Sequence, residues 1–256
     1  MWKLRAATGD PRPAPLVLGH RGASAIEVEN TVAAFSRART DGADGVELDV
    51  MLCASGEAVV FHDDDLTRLA GRPERISQAP LALLREVRLK DGREIPTLEE
   101  TLEACGPELL VNVELKMTAD PVGGVRGLVE RVAAIIERMG AGPRVLISSF
   151  SPWAVQRWMH RLPAVQAGLL FESGAPLPLR RAWAAPWLRP FGLHPELALA
   201  RPERVTRWHR QGYFVAVWTV DEPTDLRACR DMGVDAIITN DPARARATLT
   251  SAARVD

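Results

Sequence analysis

Lysine is scarce in this chain. Of 32 lysines and arginines, only Lys3, Lys90 and Lys116 are lysine, so a surface cation here is nearly always arginine. A lysine inside a strand pattern is therefore conspicuous, and Lys116 is one. Cysteine is scarce as well: Cys53, Cys105 and Cys229 are odd in number, far apart and at no metal-binding spacing. That argues against a disulfide framework or a cysteine metal site, and reads as reduced thiols in a cytoplasmic protein. No stretch approaches the ~18–20 apolar residues that span a bilayer. Met1 to Pro15 is polar, contains proline and lacks the apolar run of a signal peptide. No stable membrane insertion is expected. Net charge is −1 with both signs interspersed, which leaves no electrostatic footprint for nucleic acid.

What is present is an alternation of short apolar runs with helical segments. Strands are predicted at 16–20, 45–50, 58–62, 109–115, 144–149, 165–171, 188–193, 214–220 and 236–239. Helices are predicted at 30–40, 121–139, 152–161, 202–211, 223–232 and 242–248, several opening with proline after Asp120, Ser151 or Asp241. Such alternation predicts a parallel sheet with crossover helices. There is one strand too many for an eight-stranded barrel. The link between 45–50 and 58–62 is too short for a parallel crossover and holds the turn signal Ser55-Gly56. It predicts an antiparallel hairpin, with His62 folded back opposite residues 49 to 51 and so beside Asp49. The fold expected is an α/β (β/α)8 TIM barrel, with that hairpin and a helical excursion over 64–103 inserted after the second barrel strand. A single domain over 1–256, with its barrel core at about 16–250, is expected for a chain of this length and 46% hydrophobic content.

Two strands carry paired charges. Glu47 and Asp49 sit two apart and share a face, as do Glu114 and Lys116, with apolar residues between them. In a barrel that face is the interior. Three carboxylates would converge on the C-terminal mouth, where isolated buried charge is costly and a divalent cation holds it together. An all-oxygen set favours Mg²⁺ or Ca²⁺ over zinc. His20 and His62 each end a strand at the same mouth, and a histidine pair can act as general acid and base. Arg21 and Lys116 supply positive charge for a phosphoryl group. Asn30 reads as the N-cap of the first helix, and Glu29 has no assigned role. His160 and His209 read as surface residues on outer helices, and His194 as a loop residue without a role.

These residues resemble the glycerophosphodiester phosphodiesterases. The stretches that carry the resemblance are Gly19-His20-Arg21-Gly22-Ala23, Glu29-Asn30-Thr31, Glu47-Leu48-Asp49-Val50, Val60-Phe61-His62-Asp63, Ile95-Pro96-Thr97-Leu98-Glu99-Glu100, Val113-Glu114-Leu115-Lys116, Val217-Trp218-Thr219-Val220 and Ile238-Thr239-Asn240-Asp241. They stand in the family's order across residues 19–242. Val28 stands where the family usually has proline, and Asp221 where it often has asparagine. The resemblance implies His20 and His62 as the acid/base pair, Glu47, Asp49 and Glu114 as metal ligands, Arg21 and Lys116 as phosphate contacts, and Trp218 as a wall of the substrate pocket. It implies metal-dependent hydrolysis of a small-molecule glycerophosphodiester to glycerol 3-phosphate and an alcohol.

Two alternatives keep the fold. One is a lysophospholipase D using the same site on lysophospholipids. The segment from Ala175 to Phe191, with Trp183 and Trp187 among Arg180, Arg181 and Arg189, bears on it. A loop with a short helix that packs its tryptophans on the scaffold is the expectation for that segment. The other alternative is an inactive barrel serving as a binding protein; the intact set of seven charged and histidine positions argues against it.

Overall fold

In the computed structural model, which describes Trp2 and residues 14–117 and 123–251, the apolar runs form nine strands. They are β1 Leu16–His20, β2 Gly45–Leu52, β3 Ala58–Val60, β4 Leu110–Leu115, β5 Val145–Ser149, β6 Ala167–Phe171, β7 Gly192–Pro195, β8 Phe214–Val217 and β9 Ala236–Thr239. The order is β1-β9-β8-β7-β6-β5-β4-β2, and β1 also pairs with β2, so eight parallel strands close into a barrel. β3 alone is antiparallel, on β2. The predicted barrel and hairpin are both present. The hairpin register differs slightly from the prediction: Val50 pairs with Val60, and Phe61 N–H donates to Asp49 O at 3.0 Å. His62 is thus one step past the residue that meets Asp49.

Two apolar layers follow from the period of two along each strand. Outward residues such as Val46, Leu48, Val111 and Val113 pack against the helices. Inward residues Leu18, Leu110, Leu146, Phe214 and Ala236 fill the lower barrel. Trp2 closes that inner core, its indole N–H donating to Arg144 O at 3.0 Å and its ring edge-on to Phe214. Along β4 the inward residues turn from apolar Leu110 through neutral Asn112 to charged Glu114. A barrel interior arranged this way presents its charge at the C-terminal mouth.

Helix starts are set by side-chain caps. Ser151 caps Pro152–Arg161 by accepting from Ala154 N, and Thr97 forms a capping box with Glu100 at the head of Leu98–Cys105. The first helix is Val32–Thr40, and its cap is Thr31 rather than the predicted Asn30. The predicted start at Asp120-Pro121 lies outside the described residues; the described helix runs Gly124–Arg138. The excursion after the hairpin holds the short helices Thr67–Ala70 and Leu81–Glu86 over a satellite core of Met51, Val59, Phe61, Leu66 and Ile76. No helix among the described residues is long and apolar enough to cross a membrane.

Three further expectations are corrected. The predicted strand at 188–193 is displaced, because Ala185–Leu188 is helical and β7 starts only at Gly192. That displacement moves His194 from a loop into the barrel, where it is fully buried. Its ring lies over two glycines of adjacent strands. A Cβ at Gly168 or Gly192 would come within 2.9 Å of the ring. His209 is not a plain surface residue: its Nε2 donates to the buried Asp235 Oδ2 at 2.9 Å, which also accepts from Val215 N. Trp187 does not pack down on the scaffold and is exposed, while Trp183 is half-exposed over an apolar cavity.

His194 has a consequence for acid stability. Neither ring nitrogen has a protein partner among the described residues, and burial pushes its pKa down from 6.5 to about 3. An unfolded chain takes up this proton below pH 6.5, whereas the folded chain does so only near pH 3. Stability from this group is therefore present above pH 6.5 and lost as pH falls, on the order of 2–3 kcal/mol by pH 4.5. His194→Met, of similar volume, is expected to show a shallower fall in Tm between pH 7 and pH 4.5 than the wild type. Parallel curves would contradict the assignment.

Candidate active site

Register brings the acidic side chains together. Asp49 on β2 pairs with Glu114 on β4, and Glu47 lies two residues below Asp49 on the same face. One carboxylate oxygen from each of Glu47, Asp49 and Glu114 lies within 4.8 Å of the others, and all three residues are buried. Burial, then the charges of Asp49 and Glu114, push Glu47 well above the ordinary carboxylate range. Burial lifts Glu114 to about 7, with Lys116 opposing and Asp49 adding to the shift. Lys116 Nζ lies 3.5 Å from Asp49 Oδ1 and 3.4 Å from Glu114 Oε1. Against the cost of burial, these carboxylates keep its ammonium charged. Three oxygen donors crowded with like charge fit a hard divalent cation.

Asn30, displaced from its expected capping role, braces this cluster. Its φ of +56° is a left-handed conformation that asparagine tolerates. Its Nδ2 donates to Asp49 Oδ2 at 2.9 Å, and its Oδ1 accepts from Asp49 N at 3.3 Å. Glu47 Oε2 accepts from the backbone N–H of Arg21 at 3.0 Å.

The tautomer of His20, at the end of β1, follows from a chain of hydrogen bonds. Asp221 Oδ2 accepts from Asn240 Nδ2 at 2.6 Å, and its Oδ1 accepts from Asn240 N and Thr239 Oγ1. A carboxylate only accepts, so the amide nitrogen of Asn240 faces Asp221 and its oxygen faces His20. His20 Nδ1 then donates to Asn240 Oδ1 at 2.7 Å, and Nε2 keeps its lone pair, 4.0 Å from Glu47 Oε2. Burial and then the charge of Arg21 lower the pKa of His20 below 6.5, so the ring is neutral at pH 7.

His62 is held differently. Its Nδ1 donates to a carboxylate, Asp63 Oδ1, at 2.7 Å. Asp63 Oδ2 accepts from Arg68 Nε at 2.6 Å, and Arg68 forks onto Glu29 with bonds of 2.9 and 2.7 Å. Glu29 also accepts from Arg21 Nη1 at 2.8 Å. Against the cost of burial, Arg68 and Arg21 hold Glu29 at about 2. Glu29 thereby links Arg21, whose Nε lies 3.2 Å from Asp49 Oδ2, to the support of His62.

The two histidines and much of the charged cluster meet at one cavity of about 300 Å³ at the barrel mouth. His20, His62, Arg21, Lys116, Glu47 and Glu114 line its charged side. Phe150, Leu170 and Trp218 line an apolar side. Trp218 packs edge-on to Phe150 at 5.6 Å, and its indole N–H donates to His194 O at 2.8 Å. A cationic rim, an acidic cluster and an apolar wall suit a phosphate bearing an organic substituent.

The sequence model of the glycerophosphoryl diester phosphodiesterase family matches residues 20–244. The chain belongs to that family. A glycerophosphodiester phosphodiesterase of Caldanaerobacter subterraneus subsp. tengcongensis is 34% identical over 235 residues, covering 89% of this chain and 94% of that protein. A probable glycerophosphodiester phosphodiesterase 1 of Mycobacterium tuberculosis is 34% identical over 256 residues, with 92% of each chain covered. Among solved structures, a phosphodiesterase of Oleispira antarctica in complex with its product sn-glycerol-3-phosphate superposes with a TM-score of 0.81. It is 25% identical and covers 93% of this chain and 97% of that one.

In this glycerophosphoryl diester phosphodiesterase family member, the structure brings seven of the eight expected site residues to the cavity wall. The eighth, Asp49, lies directly behind them, within the carboxylate cluster. Sequence reasoning missed Asn112, Asp63, Asn240, Asp221 and Arg68. Asn112 carried a signal: it shares the β4 face with Glu114 and Lys116. Its amide sits at the cavity floor, with no partner for either end among the described residues. Asp63 follows His62 directly, and Asn240 directly follows β9, which pairs with β1. Arg68 carried no signal, since nothing in its segment marks it off from other surface arginines.

Proposed function

We propose that this chain hydrolyses glycerophosphodiesters to glycerol 3-phosphate and an alcohol, with a divalent cation, Mg²⁺ or Ca²⁺, held by Glu47, Asp49 and Glu114. The observation that carries the reading is the meeting of two differently held histidines with a carboxylate cluster, Arg21 and Lys116 at one cavity. The cation, when bound, supplies Lewis-acid stabilisation of charge on the phosphoryl oxygens. Arg21 and Lys116 hold the non-bridging oxygens and offset the charge that builds in the transition state. His20, neutral with its Nε2 lone pair free, takes the proton of the nucleophile, which is water or the glycerol 2-hydroxyl; in the second case water then opens the cyclic phosphate to give glycerol 3-phosphate. His62, its Nδ1–H on Asp63, delivers a proton from Nε2 to the departing alcohol oxygen. Trp218 and Phe150 face the organic part of the diester. The names of the relatives support glycerophosphodiesters as the substrate class.

The test is a panel of glycerophosphodiesters that differ in their alcohol, assayed with each divalent metal in turn. Hydrolysis of several, with glycerol 3-phosphate as the common product, is expected. Turnover of lysophosphatidylcholine alone would overturn the substrate assignment.

Asn240 acts through His20. Asn240→Leu leaves Nδ1 of His20 without its acceptor and frees the ring to adopt the wrong tautomer. A fall in kcat of roughly 10–100-fold, with KM nearly unchanged, is expected. A change confined to KM would contradict this positioning role.

A further inference from the structure

The segment 173–191, between β6 and β7, does not have the character of a packed loop. It holds the short helices Leu177–Arg180 and Ala185–Leu188. Trp187 is 75% exposed, Leu177 48%, Trp183 45% and Leu179 39%. The two indoles pack edge-on against each other, 5.6 Å between ring centroids. Large apolar side chains clustered at a surface mark an interaction site, whereas single ones do not.

Charge accompanies them. Arg180, Arg181 and Arg189 are exposed, and no acidic residue occurs between Glu172 and Glu196. Elsewhere in the chain arginines are commonly ion-paired, as Arg68, Arg93 and Arg161 are. These three form no ion pair among the described residues. Tryptophan with arginine, and no acidic residue within the segment, is the composition that suits an anionic lipid interface. There the indoles sit at headgroup depth and the guanidinium groups meet lipid phosphates.

Position completes the case. Beneath the segment lies an apolar cavity of about 340 Å³, walled by Leu169, Phe171, Leu179 and Trp183. It shares Phe150, Leu170 and Glu172 with the active-site cavity. The patch is therefore continuous with the mouth of the barrel.

We propose that segment 173–191 docks the protein reversibly on anionic lipid surfaces, with the barrel mouth beside the bilayer. The docking goes beyond the proposed hydrolysis and rests on it only for its purpose. A glycerophosphodiester is what remains when a phospholipid loses its acyl chains, and that deacylation occurs at a lipid surface. A mouth held there meets its substrate where it is made.

The experiment is vesicle flotation of the full chain, without substrate, on phosphatidylcholine vesicles and on an equal mixture of phosphatidylcholine and phosphatidylglycerol. Binding to the mixed vesicles is expected, with weaker binding to neutral ones. Each of R180Q, R181Q and R189Q should lower partitioning about fivefold. W183S/W187S should abolish it, while hydrolysis of a soluble glycerophosphodiester stays at the wild-type level and so reports an intact fold. Because binding is read without turnover, failure of the proposed reaction and failure of docking are distinguishable. The proposal is overturned if the wild type does not float with anionic vesicles, if it floats equally with neutral ones, or if the variants bind unchanged. Concentration-dependent dimerisation that W187S abolishes, without vesicle binding, would assign the patch to a second copy and also overturn it.

Discussion

His20→Ala is expected to lower kcat for glycerophosphocholine by about 10²–10⁴-fold, the usual contribution of a positioned general base. Two features of the ring set this expectation. Its Nδ1–H is fixed on Asn240, which Asp221 orients in turn, so Nε2 is the free lone pair. Burial and the charge of Arg21 lower its pKa below 6.5. A base must be unprotonated to act, so the acid limb of the wild-type rate profile should lie below pH 6.5. A bound cation would push it in the same direction. The residual activity of His20→Ala should lack that limb. His62→Ala should fall by a comparable factor, yet keep the acid limb, which belongs to His20. The comparison is of kcat across pH for the three proteins, with Tm recorded for each. A His20→Ala enzyme within threefold of wild type, or one retaining the acid limb, would contradict the assignment of the base.

Removal of the divalent cation is expected to abolish turnover altogether, and Mg²⁺ or Ca²⁺ to restore it. The carboxylate cluster carries this prediction. Burial and mutual repulsion raise Glu47 well above its ordinary range and Glu114 to about 7. For a carboxyl with a raised pKa, stability is present at low pH and lost as pH rises from the unfolded value toward the folded one. Metal-free protein should therefore lose stability between pH 4.5 and 7, and a cation should raise Tm most strongly above pH 7. Glu47→Gln removes one of the crowded charges without changing shape. It should be more stable than the chelated wild type above pH 7. It should also show little metal-induced rise in Tm and lose activity by at least about 100-fold, more than changes in residues that merely orient a ligand. Full activity in chelated enzyme would contradict the metal assignment. Loss of activity in Glu47→Gln with an undiminished Tm response would move the cation away from Glu47.

The two strand pairs that supply these groups were legible because a period of two records which face a residue occupies. In the structure Glu47, Asp49 and Glu114 share the inner face that this period gives them. The rarity of lysine in the chain added weight to Lys116. The strand count was legible because the link through Ser55-Gly56 is too short for a parallel crossover, and the same turn brings His62 to the mouth. Partners across the barrel were not legible. His20 and Asn240 lie 220 residues apart and meet only because the first and last strands pair. The burial of His194 was hidden for two reasons. The apolar run at Trp187-Leu188 resembles a strand but closes a helix. The space for the ring is left by Gly168 and Gly192 on neighbouring strands, which become a pair only once the register is known. Asn30 could be read locally as a cap, but its position against Asp49 depends on how the first helix crosses β2.

The most direct measurement of the central claim is ³¹P NMR of glycerophosphocholine incubated with metal-loaded enzyme. The diester resonance should give way to a single monoester resonance, that of sn-glycerol 3-phosphate, and EDTA should stop the conversion. No loss of the diester, or phosphocholine in place of glycerol 3-phosphate, would contradict the account.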